Sequence, residues 1–216
     1  HWEIPFRRES SVWPSVAGLV PAKTACLCGI GPVARDLGTP QEAPVVLGLG
    51  RLHENKGFDA GLAAVAQLPD VYYWIAGEGP RRDDLLAQAR QLGIIERVRF
   101  LGWRQDVAAL FGAADLFLCS SRHEPLGNMV IEAWAQGTAV VAAASQGPTQ
   151  LIRDGENGLL APIDDADAMA AALRSLIDDP ARAVDLATRA AEDYQAEFTE
   201  PRVVEKYLEF FDRVTN

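Results

Sequence analysis

Two carboxylates, Glu124 and Glu132, bracket the stretch Glu-Pro-Leu-Gly-Asn-Met-Val-Ile-Glu. Residues 115–119 before it are apolar enough for a buried strand, and residues 129–135 have the composition of a helix. The pair therefore flanks a strand-to-helix turn that contains Gly127. A helix start presents free N–H groups and the positive end of a dipole, which suits phosphate. Carboxylates accept hydrogen bonds from hydroxyls. Such a stretch can hold a ligand with hydroxyls at both ends and a diphosphate between them, which is the plan of a nucleotide sugar. Two other readings stand beside this one. The carboxylates can be a glycosidase acid/base pair, or a loop carboxylate and a helix-surface carboxylate with no shared task. Glu132 lies more than a turn inside the predicted helix and Glu124 precedes it, so helix amides fall between them. That order serves two ends of an anion better than one scissile bond.

A second loop carries the opposite charge. Gly50-Arg-Leu-His-Glu-Asn-Lys-Gly57 follows an apolar strand, and Arg51 and Lys56 lead into a helix starting near Gly57. A guanidinium and an ammonium beside a helix start suit a diphosphate; two solvated loop cations are the plain alternative. The loop lacks the Walker pattern. Gly77-Glu-Gly-Pro80 suggests close backbone approach to a ligand, but Arg81 and Arg82 stand where a dinucleotide fingerprint would continue toward its third glycine. His1, His53 and His123 have no metal-ligand spacing, and His123 reads as a surface loop residue. Asp164 and Asp165 read as helix caps. Ser120 and Ser121 lack a nucleophile-elbow context.

The elements that must position these residues alternate in kind. Apolar runs at 45–49, 71–76, 98–101, 115–119 and 139–143 read as strands, with a shorter one at 158–160. Helical patterns fall at 58–68, 83–92, 106–111, 129–135, 149–152, 166–177, 181–196 and 201–214. This predicts an α/β fold, a Rossmann-like parallel sheet with helices on both faces. Each strand ends at or near a glycine-bearing turn, so the turns at Gly50, Gly77, Gly102 and Ser120 are expected to line one cleft. Residues 1–43 break the rhythm. A short strand near 24–27 and a linker near 38–44 are the only features predicted there.

The chain has 216 residues, 49% hydrophobic and 23% charged, with net charge −10. That acidity argues against nucleic-acid binding through a basic face. Cys26, Cys28 and Cys119 form no paired framework, which points to a reducing compartment. No run approaches transmembrane length. The chain starts at His1 without a signal-peptide pattern, and a fragment of a longer protein is expected.

Together these pieces resemble the C-terminal domain of retaining glycosyltransferases of the GT-B fold, family 4, also called group 1. The resemblance runs from about Pro44 to the C-terminus. It is carried by Gly50-Arg51-Leu52 with Lys56-Gly57, Gly77-Glu78-Gly79-Pro80, Phe100-Leu101-Gly102, Ser121 to Gly127 with Glu132-Ala133, Gly137-Thr138 with Val140-Val141, Gly147-Pro148, and Asp154-Gly155 with Asn157-Gly158-Leu159. It implies transfer of a hexosyl group from a nucleoside-diphosphate sugar, without a metal or other cofactor. It implies that Arg51 and Lys56 hold the diphosphate and steady the leaving phosphate, and that Glu124 anchors the transferred sugar. Gly79 and the backbone around Leu126, Gly127, Asn128 and Met129 would contact the donor, Glu132 would take the ribose, and Trp103 and Arg104 would meet the base. Gln150 stands where the family often has glutamate, and Cys28-Gly29-Ile30 where it commonly has Asn-Gly-Ile.

The resemblance also implies a longer enzyme. Residues 44–216 would be its nucleotide-sugar-binding half, with residues 1–43 as a remnant of, or replacement for, an N-terminal acceptor domain. The last helix would face that missing domain or another chain, making Phe198, Tyr207, Phe210 and Phe211 candidates for an exposed or swapped apolar surface. The expected partners are a nucleotide sugar and an acceptor glycan or lipid-linked glycan. The expected place is the cytoplasm, at most peripherally at the inner face of the membrane, and the pathway one of polysaccharide or lipopolysaccharide synthesis. A sugar phosphorylase, a sugar-nucleotide epimerase and a non-catalytic nucleotide-sugar-binding module are the competing readings.

Overall fold

The computed structural model describes residues 37–215, so the predicted strand near 24–27, Cys26 and the Cys28-Gly29-Ile30 stretch lie outside the described residues. Six strands form one parallel sheet: β1 (Val45–Leu49), β2 (Tyr72–Ala76), β3 (Val98–Gly102), β4 (Leu116–Cys119), β5 (Ala139–Ala143) and β6 (Leu159–Ala161). Their order is β3-β2-β1-β4-β5-β6. Between and after them come α1 (Phe58–Ala66), α2 (Arg82–Gln91), α3 (Val107–Ala113), α4 (Asn128–Ala135), α5 (Gln146–Leu151), α6 (Ala166–Ile177), α7 (Pro180–Glu197) and α8 (Glu200–Thr215).

The apolar runs make strands because both faces of the sheet are covered. Alternate strand residues point to opposite sides. Val46, Tyr73, Ile75, Leu118 and Val141 pack with α1, α2 and α6 through Leu62, Val65, Leu85 and Leu173. Leu47, Trp74, Phe117, Val140 and Ala142 pack on the other side with α3 and α4 through Leu110, Phe111, Val130 and Trp134. The α/β expectation is met, and β1 and β4 are neighbours although far apart in sequence. That junction is where the strand order reverses, the usual ligand crevice of an open α/β sheet.

Several local expectations shift. The helix expected at 149–152 begins at Gln146, directly after Ser145. The helix expected at 58–68 ends at Ala66, and Leu68 is buried by a closing turn in which Gln67 and Leu68 N–H groups bond the carbonyls of Ala64 and Val65. Two short 3-10 turns, Glu54–Lys56 and Ile95–Arg97, have no apolar period to announce them. The linker at 38–44 is docked rather than free: Trp74 Nε1 donates to Thr39 Oγ1 at 3.0 Å, and Arg99 donates to the carbonyls of Leu37 at 2.7 Å and Gly38 at 2.9 Å. Phe198, expected to be exposed, is half-buried and lies against the Trp134 ring at 6.2 Å between centroids. Tyr207, Phe210 and Phe211 on α8 are exposed as expected. Among the described residues no helix is long and apolar enough to cross a membrane.

Candidate functional site

The β1 and β4 loops meet at the sheet's reversal point and are joined rung by rung. Arg122 Nη1 donates to the carbonyl of Glu54 at 2.8 Å. The His123 N–H donates to the carbonyl of Asn55 at 3.1 Å. Lys56 Nζ donates to Glu124 Oε2 at 2.5 Å. Residues 54, 55 and 56 thus face 122, 123 and 124 in register. Ser120 Oγ adds a bond to the Lys56 carbonyl at 3.0 Å, so this hydroxyl is structural. The approach is close because residue 57 is glycine: its φ is 60°, and a Cβ there would lie 2.1 Å from the Ser120 carbonyl oxygen.

The Lys56–Glu124 pair is sheltered, with 23% and 9% of the two side chains exposed. The two groups expected to meet phosphate (Lys56) and sugar (Glu124) thus grip each other. Lys56 has three N–H donors, so one can keep Glu124 while others turn outward. Arg51 differs. It is exposed, and no side-chain partner is found for it among the described residues. Next to the ladder, α4 starts at Asn128 after Gly127, whose φ is 73° and which supplies no side-chain cap. Gly127 accepts from the N–H groups of Val130 and Ile131. The amides of Asn128 and Met129 have no intrahelical acceptor and are placed to bind an anion. Pro125, Leu126 and Asn128 are exposed on this turn.

Glu132 sits in the second turn of α4 and reaches solvent. Partial desolvation raises its carboxyl above the ordinary range, and no cation answers it among the described residues. A raised carboxyl pKa means the fold disfavours the ionised form. Its contribution to stability is present at low pH and is lost as pH rises through the folded value. Glu132→Gln is therefore expected to stabilise the protein at neutral pH, within the ~0.5 kcal/mol typical of exposed positions. That gain should fade below the ordinary glutamate pKa of about 4.3. Melting curves at the two pH values check it. An uncompensated carboxylate that costs stability is a common mark of a site kept for binding.

The glycines of Gly77-Glu78-Gly79-Pro80 have a packing reason of their own. A Cβ on Gly77 would lie 1.9 Å from the Gly50 carbonyl oxygen, and one on Gly79 would lie 2.4 Å from the Leu52 carbonyl oxygen. The β1 and β2 loops press on each other there, and Leu52 bonds Glu78 and Arg81 through its own backbone. Trp103 and Arg104 follow β3, the edge strand, three steps from β4. At ~4.8 Å per step this is roughly 14 Å from the Glu124 loop. Trp103 is 73% exposed. Arg104 is engaged by Asp106, donating from Nε at 2.7 Å and from Nη2 at 2.5 Å. These two residues share the sheet end with Glu124 without touching it.

Two contacts of the candidate site were not predicted from sequence. Arg122 donates to Asp59 Oδ1 at 2.8 Å and Oδ2 at 2.6 Å, and pairs with Asp164 at 2.7 Å. Gly147 donates to the Glu124 carbonyl at 2.7 Å and presses on the turn at Gly127. Both contacts join elements distant in sequence, and only a charge beside Glu124 and a glycine after β5 hinted at them. Asp165 caps α6 as expected, accepting from the Ala168 N–H at 2.9 Å. Asn157 and Asp154 brace the turn before β6: Asn157 accepts from Arg153 at 2.7 Å and donates to Asp193 at 2.7 Å, and Asp154 accepts from Leu160 at 2.9 Å. His53 caps the 3-10 turn by accepting from the Asn55 N–H at 3.3 Å. Burial pushes the Cys119 thiol up. No cluster of His, Cys, Asp or Glu able to hold a metal occurs among the described residues.

The family of glycosyl transferases group 1 matches residues 33–193. The chain is 45% identical over 173 residues to the lipopolysaccharide core biosynthesis glycosyltransferase LpsE of Rhizobium meliloti, covering 80% of this chain and 51% of that protein. It is 38% identical over 183 residues to LpsD of the same organism, covering 84% and 53%. Among solved structures it is similar to Anabaena HepE in complex with UDP and glucose, with a TM-score of 0.80 and 29% identity over 85% of this chain and 51% of that one. HepE in complex with UDP-glucose gives a TM-score of 0.80 and 28% identity over 85% and 52%. The chain spans about half the length of the relatives it matches.

Proposed function

The chain belongs to the group 1 glycosyltransferases, and we propose that it is the donor-binding half of an enzyme moving a hexosyl group from a nucleoside-diphosphate sugar to an acceptor glycan or lipid-linked glycan. The Lys56–Glu124 pair at the sheet's reversal point, with Arg51 exposed on the same loop as Lys56, is the observation that carries this reading. Arg51 and the free donors of Lys56 take the diphosphate. The open amides of Asn128 and Met129 add to them. Glu124, steadied by Lys56, accepts hydrogen bonds from the sugar hydroxyls. As the glycosidic bond breaks, charge grows on the leaving phosphate, and the fixed cations stabilise it there. No divalent metal has a part in this scheme. Glu124 is an anchor rather than a nucleophile, because its carboxylate is already committed to Lys56. Attack on the face the phosphate leaves, with retention, is the stereochemical course we favour. Glu132 takes the ribose, and Trp103 with Arg104 meets the base across the strand ends.

Residues 44–216 form the donor half in this scheme, and the acceptor is held by the other half. That half covers the exposed Tyr207, Phe210 and Phe211 face of α8. The names of the two Rhizobium relatives support a lipopolysaccharide or polysaccharide pathway. The free, buried Cys119 fits a reducing compartment, which supports a cytoplasmic location, at most peripherally at the inner face of the membrane.

Arg51→Ala tests this reading. Arg51 is exposed and has no side-chain partner among the described residues, so its loss should leave stability within about 0.5 kcal/mol. Charge-assisted bonds to phosphate are worth about 1.5–3 kcal/mol, so UDP affinity should fall at least roughly tenfold. Calorimetry and a melting curve on the same sample separate the two. An unchanged affinity would remove Arg51 from the site.

A further inference from the structure

We propose that Arg122 is a positioning residue, which anchors the ladder that sets Lys56 against Glu124 without touching the donor itself. The proposal rests on the donor-site reading above. All three nitrogens of its guanidinium are engaged by protein. Nη1 serves the Glu54 carbonyl and Asp59 Oδ1, Nη2 serves Asp59 Oδ2, and Nε serves Asp164. Two carboxylates on one guanidinium leave no net positive charge for a phosphate, in contrast to Arg51. The partners also come from firm ground. Asp59 lies in the first turn of α1, whose Phe58, Leu62 and Val65 are buried in the core. Asp164 reaches Arg122 from the β6–α6 loop and holds a φ of 61°, a backbone conformation that non-glycine residues rarely adopt.

The lever is short. Arg122 is two residues from Glu124, and its acceptor Glu54 is two residues from Lys56. Between these ends stands one backbone bond, from His123 to Asn55. The Lys56–Glu124 pair does not fix the spacing by itself, because an ammonium on a four-carbon stem follows its partner through many geometries. A planar guanidinium held at three corners does fix it.

The test uses Arg122→Gln and Arg122→Lys, with Arg174→Gln as control. Arg174 makes a similar fork to Asp70, at the amino-end side of the sheet. Three quantities are measured on the chain: melting temperature, dissociation constants for UDP and UDP-glucose, and hydrogen exchange of the His123 amide. Arg122→Gln and Arg174→Gln should both lower the melting temperature. Only Arg122→Gln should speed His123 exchange and shift the ratio of the two constants about tenfold against the sugar-bearing ligand, the size of one lost charge-assisted bond. Arg122→Lys keeps the charge but not the fork, and should not restore the ratio. A folded Arg122→Gln protein with the parent's ratio and a protected His123 amide overturns the proposal. A parent that binds neither ligand, nor the GDP and ADP counterparts, refutes the donor reading and the positioning role with it. Release of His123 in Arg122→Gln would then still show the ladder, so the two failures are distinguishable.

Discussion

Lys56→Met is expected to destabilise the protein by about 2 kcal/mol and to weaken nucleotide-sugar binding on the order of a hundredfold, because it strands a sheltered carboxylate and removes a phosphate ligand together. Glu124 is 7% exposed and has Lys56 at 2.5 Å. Without the ammonium, its charge keeps the cost of leaving water and loses the compensation. Glu124→Gln is the milder change for the fold. The Lys56 side chain is 23% exposed, and its long stem can carry the ammonium to solvent. About 1 kcal/mol or less is expected there. The double variant Lys56→Met/Glu124→Gln leaves no unpaired charge and should regain most of the stability that Lys56→Met loses, while binding stays lost. Denaturant melts of the four proteins check the order. If Lys56→Met and the double variant are equally unstable, the pair is not what holds these loops.

Gly147→Ala should be a strongly damaging single-methyl change at the turn that carries Glu124. A Cβ there would lie 2.4 Å from the Gly127 nitrogen, 2.6 Å from the Glu124 carbonyl oxygen and 2.7 Å from the Leu126 carbonyl carbon. All three are backbone atoms of the turn between β4 and α4, so no rotamer change relieves the contact. Either α5 moves away or the turn carrying Glu124 does. Overpacking of this kind costs about 3 kcal/mol, which for a domain of this size lowers Tm by on the order of 10 °C. Donor affinity should fall as well, since the bond from Gly147 N–H to the Glu124 carbonyl is the support being displaced. Gly112→Ala is the contrast. It lies within α3 and meets nothing within 4 Å, and should stabilise by about 0.5–1 kcal/mol through helix propensity. Equal effects of the two substitutions would refute the steric argument.

What the sequence disclosed follows from what is local. Parallel strands covered on both faces are continuous apolar runs, so all six were legible within a residue or two. Arg51, Lys56, Glu124 and Glu132 stood out in sequence as candidates because each lies on a loop or early helix turn after such a strand. The grip of Lys56 on Glu124 was not, because it depends on β1 and β4 being neighbours, 68 residues apart at that contact. The same holds for Arg122, whose partners Asp59 and Asp164 come from two other elements. Glycine is ambiguous in sequence for a physical reason: a missing Cβ makes room for a ligand or for another loop. At Gly79 the room is filled by the Leu52 backbone. Phe198 looked like surface for a similar reason, since nothing in its neighbours foretold the Trp134 ring across α4.

The most direct measurement is a calorimetric titration of UDP-glucose, with GDP-glucose and ADP-glucose alongside, into the parent chain and into Lys56→Met/Glu124→Gln. The expected result is that the parent binds one of them and the double variant, folded and near the parent in stability, binds none. Equal binding by both proteins, or none by the parent, would contradict the assignment of this pair to the donor site.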